Sequence, residues 1–259
     1  GICRTEDGLK TWKVSYEGMP ENSVSTHIIL DLDSPAGKRI LYAAAFENGV
    51  YKSTDDGHTW TKKISGLGKN PYAWRFTQLP DGTLYVIMCR GIRDGTEVDG
   101  ELYKSVDRAE HWEKVALPDG VNAPNDLVFD PSNPARMYLA CWPRTINGRE
   151  YFGGVYATDD GGISWNCIFD QSAHAYGITV DEQKPSTVYM VSFDSAVYRS
   201  DDKGRTWKKL GGYNFKWGHR VVPDPFNKDM IYITTYGSSV WYGPAQGIQD
   251  ACKDIYPIK

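Results

Sequence analysis

Ser53-Thr54-Asp55-Asp56-Gly57-His58-Thr59-Trp60 decides the fold, because the chain writes this octapeptide five times. Close copies stand at Ser200-Asp201-Asp202-Lys203-Gly204-Arg205-Thr206-Trp207 and Thr158-Asp159-Asp160-Gly161-Gly162-Ile163-Ser164-Trp165. Two copies are worn: Thr5 to Trp12 carries Leu9 where Gly is expected, and Ser105 to Trp112 carries Ala109 and His111 in place of Gly and Thr. The residue types are those of a tight turn. Ser or Thr and an Asp two residues on return their oxygens to backbone N–H groups, Gly supplies a positive φ, and a second hydroxyl closes the loop. The Trp is expected to leave the turn and bury its ring. Asp7, Asp55, Asp107, Asp160 and Asp202 are therefore read as structural, with no catalytic role.

Short β-like runs flank the turns, for instance Gly49-Val50-Tyr51-Lys52 before and Trp60-Thr61-Lys62-Lys63-Ile64 after, so each octapeptide closes a β-hairpin. The terminal Trp residues fall at 12, 60, 112, 165 and 207, spacings of 48, 52, 53 and 42. Periods of about 40 to 50 residues with four strands per unit predict an all-β propeller of four-stranded antiparallel blades. Naming the strands A to D from the hub outward, the octapeptide joins C to D.

Complete units are expected at Ser25 to Ile64, Tyr72 to about Val115, Asn125 to Phe169 and Tyr176 to Leu210. The second and third carry long B–C insertions, Cys89 to Gly100 and Trp142 to Phe152. A fifth has strand A near His219 to Val222, B at Met230 to Thr235 and C near Val240 to Tyr242, with no octapeptide. Gly1 to Val14 supplies only a C strand, an octapeptide and a D strand. Two arrangements stay open: the N-terminal strand completes the last unit of one propeller spanning 1–259, or the residues are the C-terminal part of a larger ring.

The octapeptides resemble Asp-box, or BNR, repeats, and their setting is similar to the β-propellers of sialidases, sortilin-type receptors and two-propeller xyloglucanases. Leu127-Val128-Phe129-Asp130-Pro131-Ser132-Asn133-Pro134 and Tyr236-Gly237-Ser238-Ser239-Val240-Trp241-Tyr242-Gly243-Pro244 look most like the xyloglucanase-type glycoside hydrolases. That resemblance implies an extracellular or periplasmic protein acting on polysaccharide, with one catalytic Asp from each of two propellers. Sialidases fit less well, since no Arg-Ile-Pro precedes the first box.

Composition narrows the partners. A net charge of −4 argues against a phosphate-tracking surface, so no nucleic acid is expected. No run approaches the roughly 18 apolar residues of a membrane span. Gly1-Ile2-Cys3-Arg4 has no signal-peptide features. Five cysteines without C-x-x-C spacing indicate no zinc site; a Cys3–Cys252 staple is one pairing to test. No cofactor or metal is expected.

Framework positions agree between repeats, as in the turn after strand A with Asp31, Asp130, Asp181 and Asp224, which are read as turn formers. The entry of strand A diverges: Thr26 and His27, Trp74 and Arg75, Asn125 and Asp126, His174 and Tyr176, then Trp217, His219 and Arg220. Aromatic faces stack on pyranose rings, and Arg, His, Asn and Asp hydrogen-bond hydroxyls, so this ring of positions with Trp142 is the candidate glycan site. Another propeller domain or a protein segment is the alternative partner, bound without catalysis. Asp126, the acid at the strand-A mouth, is the candidate acid/base, with Glu47, Asp194, Glu97 or Glu150 as its partner in a carboxyl pair.

Overall fold

The second strand of each repeat is apolar on both faces, as befits a strand covered by a neighbouring blade on either side. In the computed structural model, which describes residues 1–194 and 196–248, the apolar stretches of those runs are nearly solvent-free in the first four repeats, while in the fifth Tyr232 is exposed. Two compact units are present, Gly1–Leu117 and a second beginning at Pro118. In the first, β1 (Cys3–Arg4) pairs with β2 (Lys13–Val14). A four-stranded blade follows: β3 (Val24–Leu30), β4 (Leu41–Phe46), β5 (Gly49–Ser53) and β6 (Thr61–Lys62). The next comprises β7 (Ala73–Gln78), β8 (Leu84–Met88), a small hairpin of β9 (Gly91–Arg93) and β10 (Thr96–Val98), then β11 (Glu101–Ser105) and β12 (Glu113–Val115).

The second unit opens with β13 (Pro124–Asp130) and β14 (Asn133–Cys141). A hairpin of β15 (Arg144–Ile146) and β16 (Arg149–Tyr151) leads into β17 (Gly154–Thr158) and β18 (Asn166–Cys167). Then come β19 (Ala175–Val180), β20 (Val188–Ser192), β21 (Ala196–Ser200) and β22 (Lys208–Lys209), followed by three strands, β23 (Gly218–Pro223), β24 (Met230–Thr235) and β25 (Val240–Pro244). Every pairing within these sheets is antiparallel. This is the all-β, propeller-type architecture the repeat predicts. Both B–C insertions fold as hairpins.

The boxes close as their chemistry requires. Ser53 Oγ donates to Asp55 at 2.7 Å and accepts the Gly57 N–H at 2.9 Å, while Asp55 accepts the Thr59 N–H and hydroxyl at 2.9 and 2.6 Å. The same set recurs at Asp160 and Asp202. In the worn copy at Asp107, the His111 ring stands 2.9 Å from the carboxylate where Thr is missing. The Thr206 hydroxyl and then its N–H hold the Asp202 carboxyl down to about 2; Thr11 does the same for Asp7. Two consecutive residues, not the single Gly expected, are left-handed in each box: Asp56 and Gly57, Arg108 and Ala109, Lys203 and Gly204. Leu9 and Ala109 take that conformation with a side chain, which costs backbone strain.

Burial of the box Trp holds where a preceding D strand covers it. Trp60 is 3% exposed, packed with Ile2, Met19 and Ala43, and its N–H reaches the Glu17 carbonyl at 2.8 Å. Trp112 Nε1 donates to the Lys63 carbonyl and Trp207 Nε1 to that of Ile168, at 3.1 and 2.9 Å. Trp165 and Trp207 are half-buried. Trp12 corrects the expectation: it is 58% exposed, because among the described residues of its unit nothing plays the part that Ser15 and Glu17 play for Trp60.

The Asp residues after the innermost strands form Asx turns, Asp31 to the Asp33 N–H and Asp130 to that of Ser132. A basic residue in the following blade's box clasps two of them: Arg108 Nε stands 3.5 Å from Asp31 and Lys203 Nζ 2.7 Å from Asp130. The thiols of Cys3, Cys89, Cys141 and Cys167 are free, and the Cys3–Cys252 pairing lies outside the described residues. No helix among the described residues is long and apolar enough to cross a membrane.

Candidate functional site

Each innermost strand begins with a β-bulge at one equivalent place. The register slips between Ser25 and His27, Ala73 and Arg75, Pro124 and Asp126, Ala175 and Gly177, and Gly218 and Arg220. The extra residues are Thr26, Trp74, Asn125, Tyr176 and His219, the positions at which the repeats diverge. A bulge leaves one residue outside the ladder and re-aims its side chain, so the divergence has a backbone cause.

Two of these positions share a structural task. In the first unit Thr26 Oγ1 donates to the Trp74 carbonyl at 2.9 Å, and His27 Nδ1 accepts the Phe76 N–H at 3.1 Å. In the second, Asn125 Nδ2 donates to the Tyr176 carbonyl, and Asp126 Oδ2 accepts the Ile178 N–H at 3.1 Å. Phe76 and Ile178 each lie two residues past their bulge. His27 and Asp126 are therefore equivalent staples between neighbouring innermost strands. Gly177 occupies the same place in the next blade because a Cβ there would collide with the His219 carbonyl oxygen.

Asp126 is 1% exposed, and Arg220 Nη2 approaches its two oxygens at 2.6 and 2.7 Å. The guanidinium and the Ile178 N–H both need an acceptor, which the ionised carboxylate supplies. This geometry runs against the premise that burial alone would charge Asp126 with a catalytic proton. Of its candidate partners, Glu47 is exposed at φ 66° in the β4–β5 turn of the first unit. Asp194 stands with Oδ2 2.7 Å from His174 Nδ1. Glu97 lies on β10 of the first unit, and Glu150 on β16 of the second.

The second unit gathers the aromatic candidates. Trp142 stacks on His174 at 5.1 Å and 24°, and meets Phe193 at 4.8 Å. Phe193 stacks on Trp217 at 6.2 Å and 21°. Tyr176 packs against Tyr236 at 5.4 Å, their hydroxyls 2.6 Å apart, and Tyr236 meets His219 edge-on at 5.2 Å. Trp217 is 49% and Tyr236 53% exposed. Trp217 is left-handed at φ 54°, rare for a bulky residue. Its carbonyl accepts the Tyr236 N–H at 2.9 Å, and its ring lies where a Cβ on Gly237 would come within 2.8 Å. Trp74, in the first unit, packs instead on Phe46 at 6.4 Å with the Arg75 guanidinium 5.8 Å from its ring.

Beside this run of rings lies a cavity of about 590 Å³ between the β15–β16 hairpin and the loop before β19. Arg144, Glu150, Tyr151, Phe152, Asp170 and His174 line it. Backbone bonds of 2.8 Å, Phe152 N–H to Gly120 and Gly153 N–H to Gln171, fix the hairpin's base. His174 belongs to both the rings and the cavity. Among the described residues no cluster of three or more His, Cys, Asp or Glu side chains is placed to hold a metal.

A family model described as Sortilin-Vps10 (sortilin, neurotensin receptor 3) matches residues 48–195, more than half of the chain. The chain belongs to the Sortilin-Vps10 family. This Sortilin-Vps10 chain is also 26% identical, over 84% of its length, to the xyloglucanase Xgh74A of Acetivibrio thermocellus. It is 25% identical to a Paenibacillus xyloglucanase over 93% of its length. It spans 29% and 25% of those proteins. Among solved structures, the GH74 xyloglucanase of Xanthomonas campestris superposes with a TM-score of 0.66 at 16% identity, over 90% of this chain and 37% of that one. An ancestral GH74 enzyme gives 0.65 at 20% identity, over 86% and 30%. At such identities the superpositions establish the fold alone.

Sequence reasoning missed Phe193, Tyr236 and Asp170. Phe193 and Tyr236 follow the second strands of their blades, the register at which Trp142 follows β14, and that shared register was the available signal.

Proposed function

We propose that this chain is a glycan-binding part of an extracellular, xyloglucanase-like propeller, and that the second unit's ring cluster and cavity form the binding surface. One observation carries the reading: seven aromatic side chains, Trp142, His174, Phe193, Tyr176, Trp217, Tyr236 and His219, run without a break into a cavity lined by charged groups. Flat rings pack on the C–H faces of pyranoses, while Glu150, Asp170, Arg144 and His174 offer partners to hydroxyls. The relatives' names point to a xyloglucan-type β-glucan as the ligand.

Hydrolysis of an O-glycosidic bond needs two carboxyl groups facing one sugar. Asp126 serves as a staple in this reading, which leaves Glu150 and Asp170 as the cavity's carboxylates; the opposing group is assigned to another propeller domain across the same face. Calorimetric titration with xyloglucan oligosaccharides, with reducing ends assayed in parallel, tests the proposal. Binding without release is expected from this chain alone, with affinity about tenfold weaker in Trp217→Ala and in Trp142→Ala. Absence of binding, or affinity indifferent to both substitutions, contradicts it.

A further inference from the structure

The ion pair at Asp126 leaves Arg220 half used. Nη2 is taken by the two Asp126 oxygens, whereas Nε and Nη1 have no partner among the described residues. The side chain is 30% exposed, so those N–H groups are open to a ligand. Arg220 follows His219 directly on β23, and one hydroxyl, that of Thr234, contacts both the His219 ring and the Arg220 carbonyl, at 2.9 and 3.3 Å. On the other side Asn125, next to Asp126, is bonded to the Tyr176 carbonyl. The ion pair thus borders the ring cluster at both ends.

Charge decides what such a donor prefers. A free guanidinium favours carboxylates and phosphates. Here a buried carboxylate 2.6 Å away offsets the charge while leaving the remaining N–H groups rigidly aimed. Donors of fixed direction with little net field suit hydroxyl oxygens better than a second anion.

Resting on the glycan reading above, we propose that Arg220 is a specificity-determining residue that binds hydroxyl oxygens of a neutral sugar, and that Asp126 is its positioning residue, rejecting acidic sugars by cancelling the charge. Asp126 touches no substrate in this arrangement. Its removal changes which sugar is preferred.

The test measures affinity for cellotetraose and for the same tetrasaccharide bearing one glucuronate, with wild type, Arg220→Lys, Arg220→Gln and Asp126→Asn. Asn keeps the shape of the side chain and one oxygen, which the Ile178 N–H takes, and thermal unfolding of each variant checks that the fold is retained. Wild type favours the neutral sugar. Both Arg220 variants lose about tenfold in affinity for it, since Lys keeps the charge without the planar array of donors. Asp126→Asn stays within about threefold for cellotetraose while its acid-to-neutral preference rises about tenfold, because an uncancelled guanidinium now faces the ligand. Wild-type binding of cellotetraose that Arg220→Lys and Arg220→Gln leave unchanged, or a preference that Asp126→Asn leaves unchanged, overturns this inference alone. Failure of the wild type to bind either sugar overturns the glycan reading and this inference with it.

Discussion

The box turns and the innermost-strand bulges are both fivefold features, and they behave in opposite ways. At the boxes like residues do like work: Ser53, Asp55 and Thr59 bond as Ser200, Asp202 and Thr206 do. At the bulges unlike residues stand in one register, yet His27 and Asp126 perform the same task, each accepting an N–H from the next blade. Identity of sequence therefore marks the scaffold well, whereas divergence of sequence does not by itself mark function. A divergent residue must first be tested for a bond to the neighbouring blade.

Removing rim packing breaks the first half of the contrast most strongly. Trp60→Ala is expected to cost about 3–5 kcal/mol, because it empties a covered site between blades. Trp12→Ala, from a box of the same pattern, costs about 0.5 kcal/mol or less. Urea unfolding of the two variants measures the difference, and equal losses contradict the idea that a preceding strand makes the Trp structural.

Asp126→Ala leaves Arg220 and the Ile178 N–H without their acceptor and is expected to cost about 3 kcal/mol. Asp194→Ala, at an exposed contact with His174, costs about 1 kcal/mol or less. Thermal unfolding separates them.

Acid sharpens the contrast at the rim as a whole. Box carboxyls such as Asp7, Asp55 and Asp202 titrate at about 2 in the fold, against 3.8 ordinarily. A depressed carboxyl binds its proton more weakly when folded, so its contribution is present above about pH 4 and is lost as pH falls towards 2. Melting temperature is thus expected to drop steeply below pH 4, and Asp202→Asn to flatten part of that drop.

The smallest effect lies in the worn boxes. Leu9 is left-handed at φ 72° and exposed, so Leu9→Gly relieves strain and is expected to stabilise by about 1 kcal/mol. An unchanged unfolding midpoint contradicts that strain.

The rim was legible because its chemistry is local: a hydroxyl, a carboxylate and a Gly within eight residues specify their own bonds, and the five-fold spacing specifies the blades. The mouth positions were legible as a list, and Trp142, His174, Tyr176, Trp217 and His219 do come together in the second unit. Their roles were not legible. Asp126 meets Arg220 across 94 residues, and Trp217 meets Phe193 across two blades, contacts that no spacing encodes. Trp12 shows the same limit from the other side, since a local pattern cannot say whether a neighbour covers it.

Equilibrium unfolding of His27→Ala and Asp126→Ala tests the central claim most directly. Both variants are expected to lose stability, since both surrender the bond to the next blade. An Asp126→Ala protein as stable as wild type would contradict the account.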